Sequence, residues 1–555
     1  MLSLYKENKG VLLTIALVIF ALMFISACGG PAADEPSEPS DPDDPGVDAR
    51  RGGRISFGRD REATSLDPHS HASIISAHTI ANIVEPLIYL DDQGQAWPGL
   101  ATSWSANDDA TEFTFQLRED VVFHDGEPFN GEAVKYNFDR IASPELIEGG
   151  ARVALGPYYQ ETVVEGEYEV RVVFEQPYAI FLTNAGTDNL AMVSPKAGQD
   201  PNHDMESHPV GTGPFKFKSR VPGESLIMER FEEYAWAPEP FENRGPAYLD
   251  EVELVFVPEN EVRMGSLRSG DLQGSETIVP QDWAGFESDP AFTTFGISPP
   301  GVGKYVLINV QKYPTDDVRV REAIHRAINR EEMIDVLWNG LFEISDGPIQ
   351  KNVFGYWPGV EGQFPYDQEK SAELLDDAGW ELQDDGFRYK DGDLLEIDMY
   401  TVEGFGIHDQ FAEPFQNYLR QVGIQCNIIR LPGAVRRVHQ TAGDHHLLPG
   451  IFSGVDPDAL LRRQYHSDDI GEGGQNASFF SDPHVDDLLE RAMATGDREE
   501  RASIYEEVQR IVYNEQIAIV PIYEFRNLYA MQADYPGMKF NINAHPMFGD
   551  IYHAE

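Results

Sequence analysis

The sequence predicts an α/β protein of two lobes, the first rich in strands and the second alternating strands with helices. Three observations predict it. The chain has 555 residues, more than one hydrophobic core accommodates, and 41% are apolar and 11% aromatic, so two or three domains with large cores are expected. Through the first half, apolar residues alternate with polar ones at a period of two, the mark of half-buried strands. Through the second half they recur at helical spacing, in runs opened by aspartate and closed by glycine.

The elements follow in chain order. Lys6 and Lys9 precede an uncharged apolar run at 10–27, followed by Cys28, Gly29 and Gly30. A basic start, an apolar stretch and small residues before a boundary form a secretory signal. The run is also near the length that spans a bilayer, so a retained membrane helix is the competing reading. Ile25-Ser26-Ala27-Cys28 resembles the bacterial lipobox, with Ile where Leu is usual, and favours a signal peptide at 1–27 and a lipid on Cys28. Two or more acyl chains give stable anchoring. Residues 29–48 hold five prolines, seven acids and no large apolar side chain except Val47. Such a segment cannot bury enough surface to fold, so 28–50 reads as an extended, self-repelling tether.

Strand alternation then appears in Phe113-Phe115-Leu117, Val170-Val172-Phe174, Phe215-Phe217, Leu226-Met228 and Val252-Leu254-Phe256. A helix that buries Val134 and Phe138 starts near Asn130. The stretch at 298–304, Ser-Pro-Pro-Gly-Val-Gly-Lys, reads as the crossing into the second lobe. Beyond it, Asp317 opens a helix with Val320, Ile324, Ile328, Ile334 and Leu337 on one face, stopped by Gly340. Residues 366–378 form a second helix, ended by Gly379, and Phe411, Phe415, Leu419 and Val422 mark a third, ended by Gly423. Asp482-Pro483 opens a fourth and Asp497 a fifth. Strands at Leu395-Ile397-Met399 and Ile424-Cys426-Ile428 lie between them, and no internal repeat is present.

Lys and Arg total 42 against 94 Asp and Glu, a formal charge of −52. Nucleic-acid binding needs a basic surface, so this balance excludes it. A dense negative surface keeps a folded protein soluble and monomeric at some cost in self-repulsion, and it reads as adaptation to salt. The acids are spread over the whole chain rather than gathered into a cation site. Cys28 and Cys426 are the two cysteines, too few for a disulfide framework. Cys426, on an apolar alternating strand, reads as a small core residue. The sequence has no nucleophile elbow, HExxH pair or Walker loop, so no catalytic residue and no cofactor are assigned.

Several segments resemble a known family. Leu66-Asp67-Pro68 stands for its early LDP. Glu85-Pro86-Leu87-Ile88 leads to Pro98-Gly99-Leu100-Ala101-Thr102-Ser103-Trp104, and Phe113-Thr114-Phe115-Gln116-Leu117-Arg118 to Val122-Phe123-His124-Asp125-Gly126. Pro209-Val210-Gly211-Thr212-Gly213-Pro214-Phe215 follows, then Asp317-Val318-Arg319-Val320-Arg321-Glu322-Ala323-Ile324 with Ala327-Ile328-Asn329-Arg330. Leu374-Leu375-Asp376-Asp377-Ala378-Gly379-Trp380 and Asp456-Pro457-Asp458 complete the series. No single motif is specific, but eight in order, from about Leu66 to Tyr529, resemble the family 5 extracellular solute-binding proteins of ABC importers, the peptide, oligopeptide and nickel group. The resemblance implies a type II, cluster C clamp like that of periplasmic binding proteins, with an extra β-rich subdomain at about 88–205 inside a first lobe at 51–297. A second lobe at 298–512 and a return to the first at 513–555 follow. It implies an extracytoplasmic, lipid-anchored protein in the periplasm or on the outer face of the membrane. Its partners would be a peptide or other small solute and the permease and ATPase subunits of an importer. Hinge closure of this kind belongs to a known repertoire.

By position, the pocket walls are expected at 73–76 in the first lobe and at 403–408 and 452–458 in the second. The candidate ligand contacts are Ser73, Ile74, Ile75, Glu403, Phe405, His408, Phe452, Asp456 and Asp458. Gly404 and Gly406 allow close backbone approach, Phe405 offers a stacking surface, and Glu403 and Asp456 would pair with a positive group. Closed pockets favour a few directed polar contacts in an apolar lining, and only contacts made to both lobes drive closure. Dipeptide-binding members hold the peptide amine with an Asp in a Trp-x-Gly-Asp run and the carboxylate with a nearby Arg. Here 451–456 reads Ile-Phe-Ser-Gly-Val-Asp and 404–408 has no Arg. The ligand therefore stays open among dipeptide, longer peptide, metal chelate, sugar and other solutes.

Other motifs have structural readings. His124-Asp125-Gly126 reads as a turn. Gly211-Thr212-Gly213-Pro214 resembles a phosphate loop but leads into a strand, so it reads as a turn needing glycine conformations. His69, His71 and His78, with His445 and His446, are the basis of an alternative reading as a nickel or metal-chelate binder. A secreted lipoprotein hydrolase is the alternative from another class, and it would need a nucleophile or activated carboxylate pair to which nothing in the sequence points.

Overall fold

The computed structural model describes residues 50–70, 73–144, 146, 150–403 and 410–554. The expected signal segment and Cys28 lie outside these, as do Phe405 and His408. Among the described residues no helix is long and apolar enough to cross a membrane.

The first lobe begins with β1 (Arg54–Arg59) and helix α1 (Ile74–Ile80). An antiparallel subdomain follows, made of β2 (Ala101–Ala106), β3 (Glu112–Leu117), helix α2 (Gly131–Ala142), β4 (Tyr159–Gly166) and β5 (Glu169–Phe174). Its four strands run in the order β2-β3-β5-β4. The alternation in the sequence is the packing: Phe113, Phe115, Val170 and Val172 turn inward with Val134 and Phe138 of α2. Asn130 caps α2 by accepting from the Ala133 N–H.

The chain then returns to the first sheet through β6 (Phe215–Val221), β7 (Ser225–Arg230), β8 (Glu251–Phe256), β9 (Gly274–Ser275) and β10 (Phe292–Ile297). Ile55, Phe57, Val252 and Leu254 lie in its core.

The second lobe starts with β11 (Gly301–Ile308), buried along its whole length. Next come α3 (Val318–Ala327), α4 (Arg330–Trp338), α5 (Gln368–Asp377), β12 (Glu396–Val402), α6 (Ala412–Gln421), β13 (Gln425–Leu431), α7 (Gly433–Ala442) and β14 (Leu447–Ser453). Helices α8 (Pro483–Ala494) and α9 (Arg498–Gln509) precede β15 (Ile519–Tyr523), and β16 (Asn527–Gln532) ends the series back in the first lobe. The second sheet has the order β13-β12-β14-β11-β15, and the first, seven-stranded, β10-β16-β9-β1-β8-β7-β6. The central β11 and its neighbour β15 are buried along their whole length and read as nearly continuous apolar runs, whereas β12 and β13 alternate buried and part-exposed residues. Val306 and Ile308 point into a core with α3 to α6, while Tyr305 and Leu307 point into one with α8 and α9.

Two expectations are corrected. The stripe opened by Asp317 is two helices, because Ile328 is extended (ψ 115°) and Asn329 caps α4 afresh by accepting from the Glu332 N–H. The return to the first lobe, expected from 513, begins after Tyr523, because β15 pairs with β11 in the second sheet.

Candidate functional site

Strand direction fixes where a site can form. In the second sheet β12 runs parallel to β13 and β14, while β11 runs antiparallel to β14 and β15. The carboxyl ends of β12 to β15 therefore share one edge with the start of β11. In the first sheet β10 and β9 run antiparallel to β16, and β1 and β8 run parallel to β9, so their carboxyl ends also share an edge. The chain crosses between these edges at 298–300 and 524–526. Ligands of open α/β sheets bind outside the carboxyl ends of the strands, and here both lobes turn those ends toward the same two crossings.

On the first lobe this edge carries a buried ionic network. Arg59, the last residue of β1, donates Nε to Glu276 just beyond β9 (2.9 Å) and Nη1 to the Thr79 hydroxyl (2.5 Å). Glu276 also faces Nδ1 of His78 (3.4 Å). Burial alone would raise Glu276, but Arg59 and His78 outweigh it and hold it at about 2. Burial, and then the neighbouring His545, push His78 down to about 4. The two imidazole rings lie 4.1 Å apart, and His545 Nδ1 is 2.6 Å from Asp188. The network anchors α1, whose first turn carries three of the predicted contacts. Ser73 sits at its N-terminus, half-buried and making no side-chain cap bond; Ile74 follows; Ile75, half-buried, accepts through its carbonyl from Thr79 (2.8 Å).

On the second lobe, Phe452 is half-buried near the carboxyl end of β14, and Glu403 is exposed just beyond β12, donating its N–H to the Leu431 carbonyl (2.9 Å). Asp456 does not present its carboxylate for a ligand amine. It is 3% exposed, accepts from Arg501 (2.8 Å) and from the Asp458 N–H (3.0 Å), and so ties α9 to the turn. Asp458 is buried beside it, and burial, then the Asp456 charge, push it up to about 7. Asp456 therefore reads as scaffold rather than a ligand contact, while Asp458 is buried with its Oδ1 unpartnered. Here the second lobe also meets the subdomain: the Ala179 N–H donates to the Met493 carbonyl (3.0 Å), and Val455 and Ala459 pack on the subdomain core.

A cavity of about 300 Å³ lies in the second lobe, lined by Lys304, Tyr305, Thr401, Val402, Arg436, Arg437, Phe452 and Gln464 among others. That is the lower end of the range for small-molecule sites. Val402 and Phe452 bring it to the carboxyl edge of the sheet. A second cavity, of about 40 Å³ beside Glu85, is too small for a solute. Sequence reasoning missed the two arginines; adjacent basic residues in an acidic chain, on a helix between two strands, were the available signal. It missed Gln464 and the Arg59–Glu276 network too, which have no local pattern.

The remaining motifs are structural. His124 donates Nε2–H to the Gly213 carbonyl (2.9 Å) and accepts on Nδ1 from the Gly211 N–H (3.3 Å), so the turn and the glycine loop hold each other. His69 is buried against the Ala191 carbonyl (2.9 Å), His445 against that of Ala477 (2.7 Å) and His446 against that of Tyr313 (3.1 Å); His71 lies outside the described residues. Among the described residues no three His, Cys, Asp or Glu side chains are grouped to hold a metal ion. Cys426 is a buried core thiol.

Comparison with known proteins agrees with this architecture. The family model described as bacterial extracellular solute-binding proteins, family 5 Middle, matches residues 95–472. The glutathione-binding protein GsiB of Salmonella typhi is 27% identical over 463 residues, covering 81% of this chain and 85% of that protein. The periplasmic binding protein DppA of Helicobacter pylori, solved with the peptide STSA, is 25% identical with a TM-score of 0.74, over 91% of this chain and 99% of the other. NikA of Brucella suis, solved with Fe(III)-EDTA, is 22% identical with a TM-score of 0.80, over 90% and 100%. These neighbours share the type II two-lobe clamp. On the strength of the family match across two thirds of its length, the chain belongs to the family 5 bacterial extracellular solute-binding proteins.

Proposed function

We propose that this protein captures a peptide or peptide-like solute between its lobes and delivers it unchanged to the permease of an ABC importer, while held to the membrane by a lipid on Cys28. The observation that carries this reading is the pair of sheets whose carboxyl edges face a two-strand crossing, with a solute-sized cavity opening at one of them. The peptide held by DppA and the glutathione named for GsiB support the solute class. Two short connecting segments, 298–300 and 524–526, link the lobes as a hinge, and a solute that touches both lobes shifts the balance toward closure by its differential affinity.

Small-angle scattering of the purified chain with and without a peptide pool tests this. A contraction on adding solute is expected, and a profile indifferent to every pool overturns the reading. Metabolic labelling with a fatty-acid analogue tests the anchor separately: the wild type should take up label and Cys28→Ser should not.

A further inference from the structure

The second-lobe cavity has a charge opposite to that of the chain around it. Acids outnumber bases 94 to 42, yet the described residues lining this cavity include Lys304, Arg436 and Arg437 and no Asp or Glu. Arg436 donates Nε to the Tyr400 carbonyl (3.2 Å) and Nη2 to the Pro449 carbonyl (2.6 Å). Arg437 donates to the Gly474 carbonyl (2.5 Å). Backbone carbonyls orient a guanidinium but leave its full charge uncompensated, and a desolvated cation without a counter-ion is costly. Burial lowers the proton affinity of Arg436, Tyr305 opposes this in part, and the neighbouring Arg437 lowers it a little further; no carboxylate contributes.

Two more groups at the cavity are unsatisfied. Gln464 is 3% exposed and neither atom of its amide has a partner; Thr401 is 2% exposed and its hydroxyl has none. Native interiors leave few such groups, and each calls for an explanation. A guanidinium held by its carbonyls, an idle amide and an idle hydroxyl around one space form a set of donors. What satisfies such a set is an oxyanion: a carboxylate offers about four acceptor sites and makes short, charge-assisted bonds to arginine.

We propose that the solute carries a carboxylate and that this group enters the second-lobe cavity, where Arg436 holds it with Gln464 and Thr401 as flanking donors. The proposal rests on the solute-capture reading above and adds the sign of the ligand. It reverses the expectation that Asp456 would select a positive group, since Asp456 is already neutralised by Arg501. The rest of the solute extends past Val402 and Phe452 toward the first lobe.

The test offers the purified full chain a casein digest containing reduced glutathione, before and after carbodiimide-driven amidation of all carboxylates, and identifies retained solutes by mass spectrometry. Retention from the untreated pool, with at least a tenfold loss from the amidated one, is expected. Arg436→Gln should lose acidic solutes to a similar degree, and Arg436→Lys should keep part of the retention. Equal retention from both pools overturns the proposal and leaves solute capture standing. No retention from either pool overturns both. If Arg436→Gln does not fold, judged by circular dichroism, the wild-type comparison of the two pools still decides.

Discussion

Arg501 reaches from α9 to Asp456 and stacks its guanidinium near Tyr505 and Phe354, so one buried cation is shared by a carboxylate and two rings. Removing one member of a buried pair leaves the other charged and dry. Asp456→Asn should therefore lose about 3–5 kcal/mol in chemical denaturation; a variant with unchanged stability but abolished solute binding would instead make Asp456 a ligand contact. Asp458 has the opposite character. Its ordinary value is 3.8 and the folded chain holds it at about 7. Between those values the folded state binds more protons than the unfolded one, so this group's contribution to stability falls as pH rises through the window. Asparagine cannot ionise. The stability of Asp458→Asn relative to wild type should therefore grow from pH 4 to pH 7.5, and a pH-independent difference would show that Asp458 ionises normally. The acidic pair was legible in the sequence as a motif, but its role was not: the partner that fixes it lies 45 residues away on another helix.

The loop at 211–214 owes its glycines to an approach rather than to a backbone conformation. Neither Gly211 nor Gly213 has a positive φ. A Cβ on Gly211 would lie 2.2 Å from the Ile83 carbonyl oxygen, and one on Gly213 would lie 2.5 Å from that of Asn82. The Gly213 N–H donates to the Ile83 carbonyl (3.0 Å) and the Phe215 N–H to that of Asn82 (3.1 Å), so the loop lies flush against the segment leaving α1. Gly211→Ala should cost about 1–3 kcal/mol by overpacking, read as a lower thermal midpoint, whereas an unchanged midpoint would mean that the two segments separate freely. Elements of this size divide by how local their signal is. Asp317, Asp367, Asp482 and Asp497 all cap the helices they open, as their positions in the sequence require. The break between α3 and α4 was hidden because both helices bury their apolar faces in one core, so the stripe runs on past Asn329. Strand β9 was invisible: two residues carry no periodicity, yet they sit between β16 and β1 in the first sheet.

At the scale of the whole molecule, charge opposes compactness. The formal charge is −52, and the acids in excess have no basic partners to meet. Most ion pairs among the described residues involve exposed side chains, which contribute little individually. Self-repulsion therefore dominates the surface electrostatics, and it acts against folding because the unfolded chain spreads the same charges further apart. Raising NaCl from about 0.1 M to about 1 M shortens the screening length from about 10 Å to about 3 Å. The thermal midpoint should rise across that range and level off as screening saturates, with KCl giving the same curve; a flat or falling midpoint would mean that attractive surface pairs outweigh the repulsion. Solute binding should answer salt in the other direction. A carboxylate held by Arg436 is an attraction between opposite charges, so the same salt weakens it, though less steeply than at an exposed site because the cavity is recessed. Measuring both curves on one preparation separates the fold's response from the site's: stability that climbs while affinity declines is the outcome required by a negative scaffold built around a positive pocket.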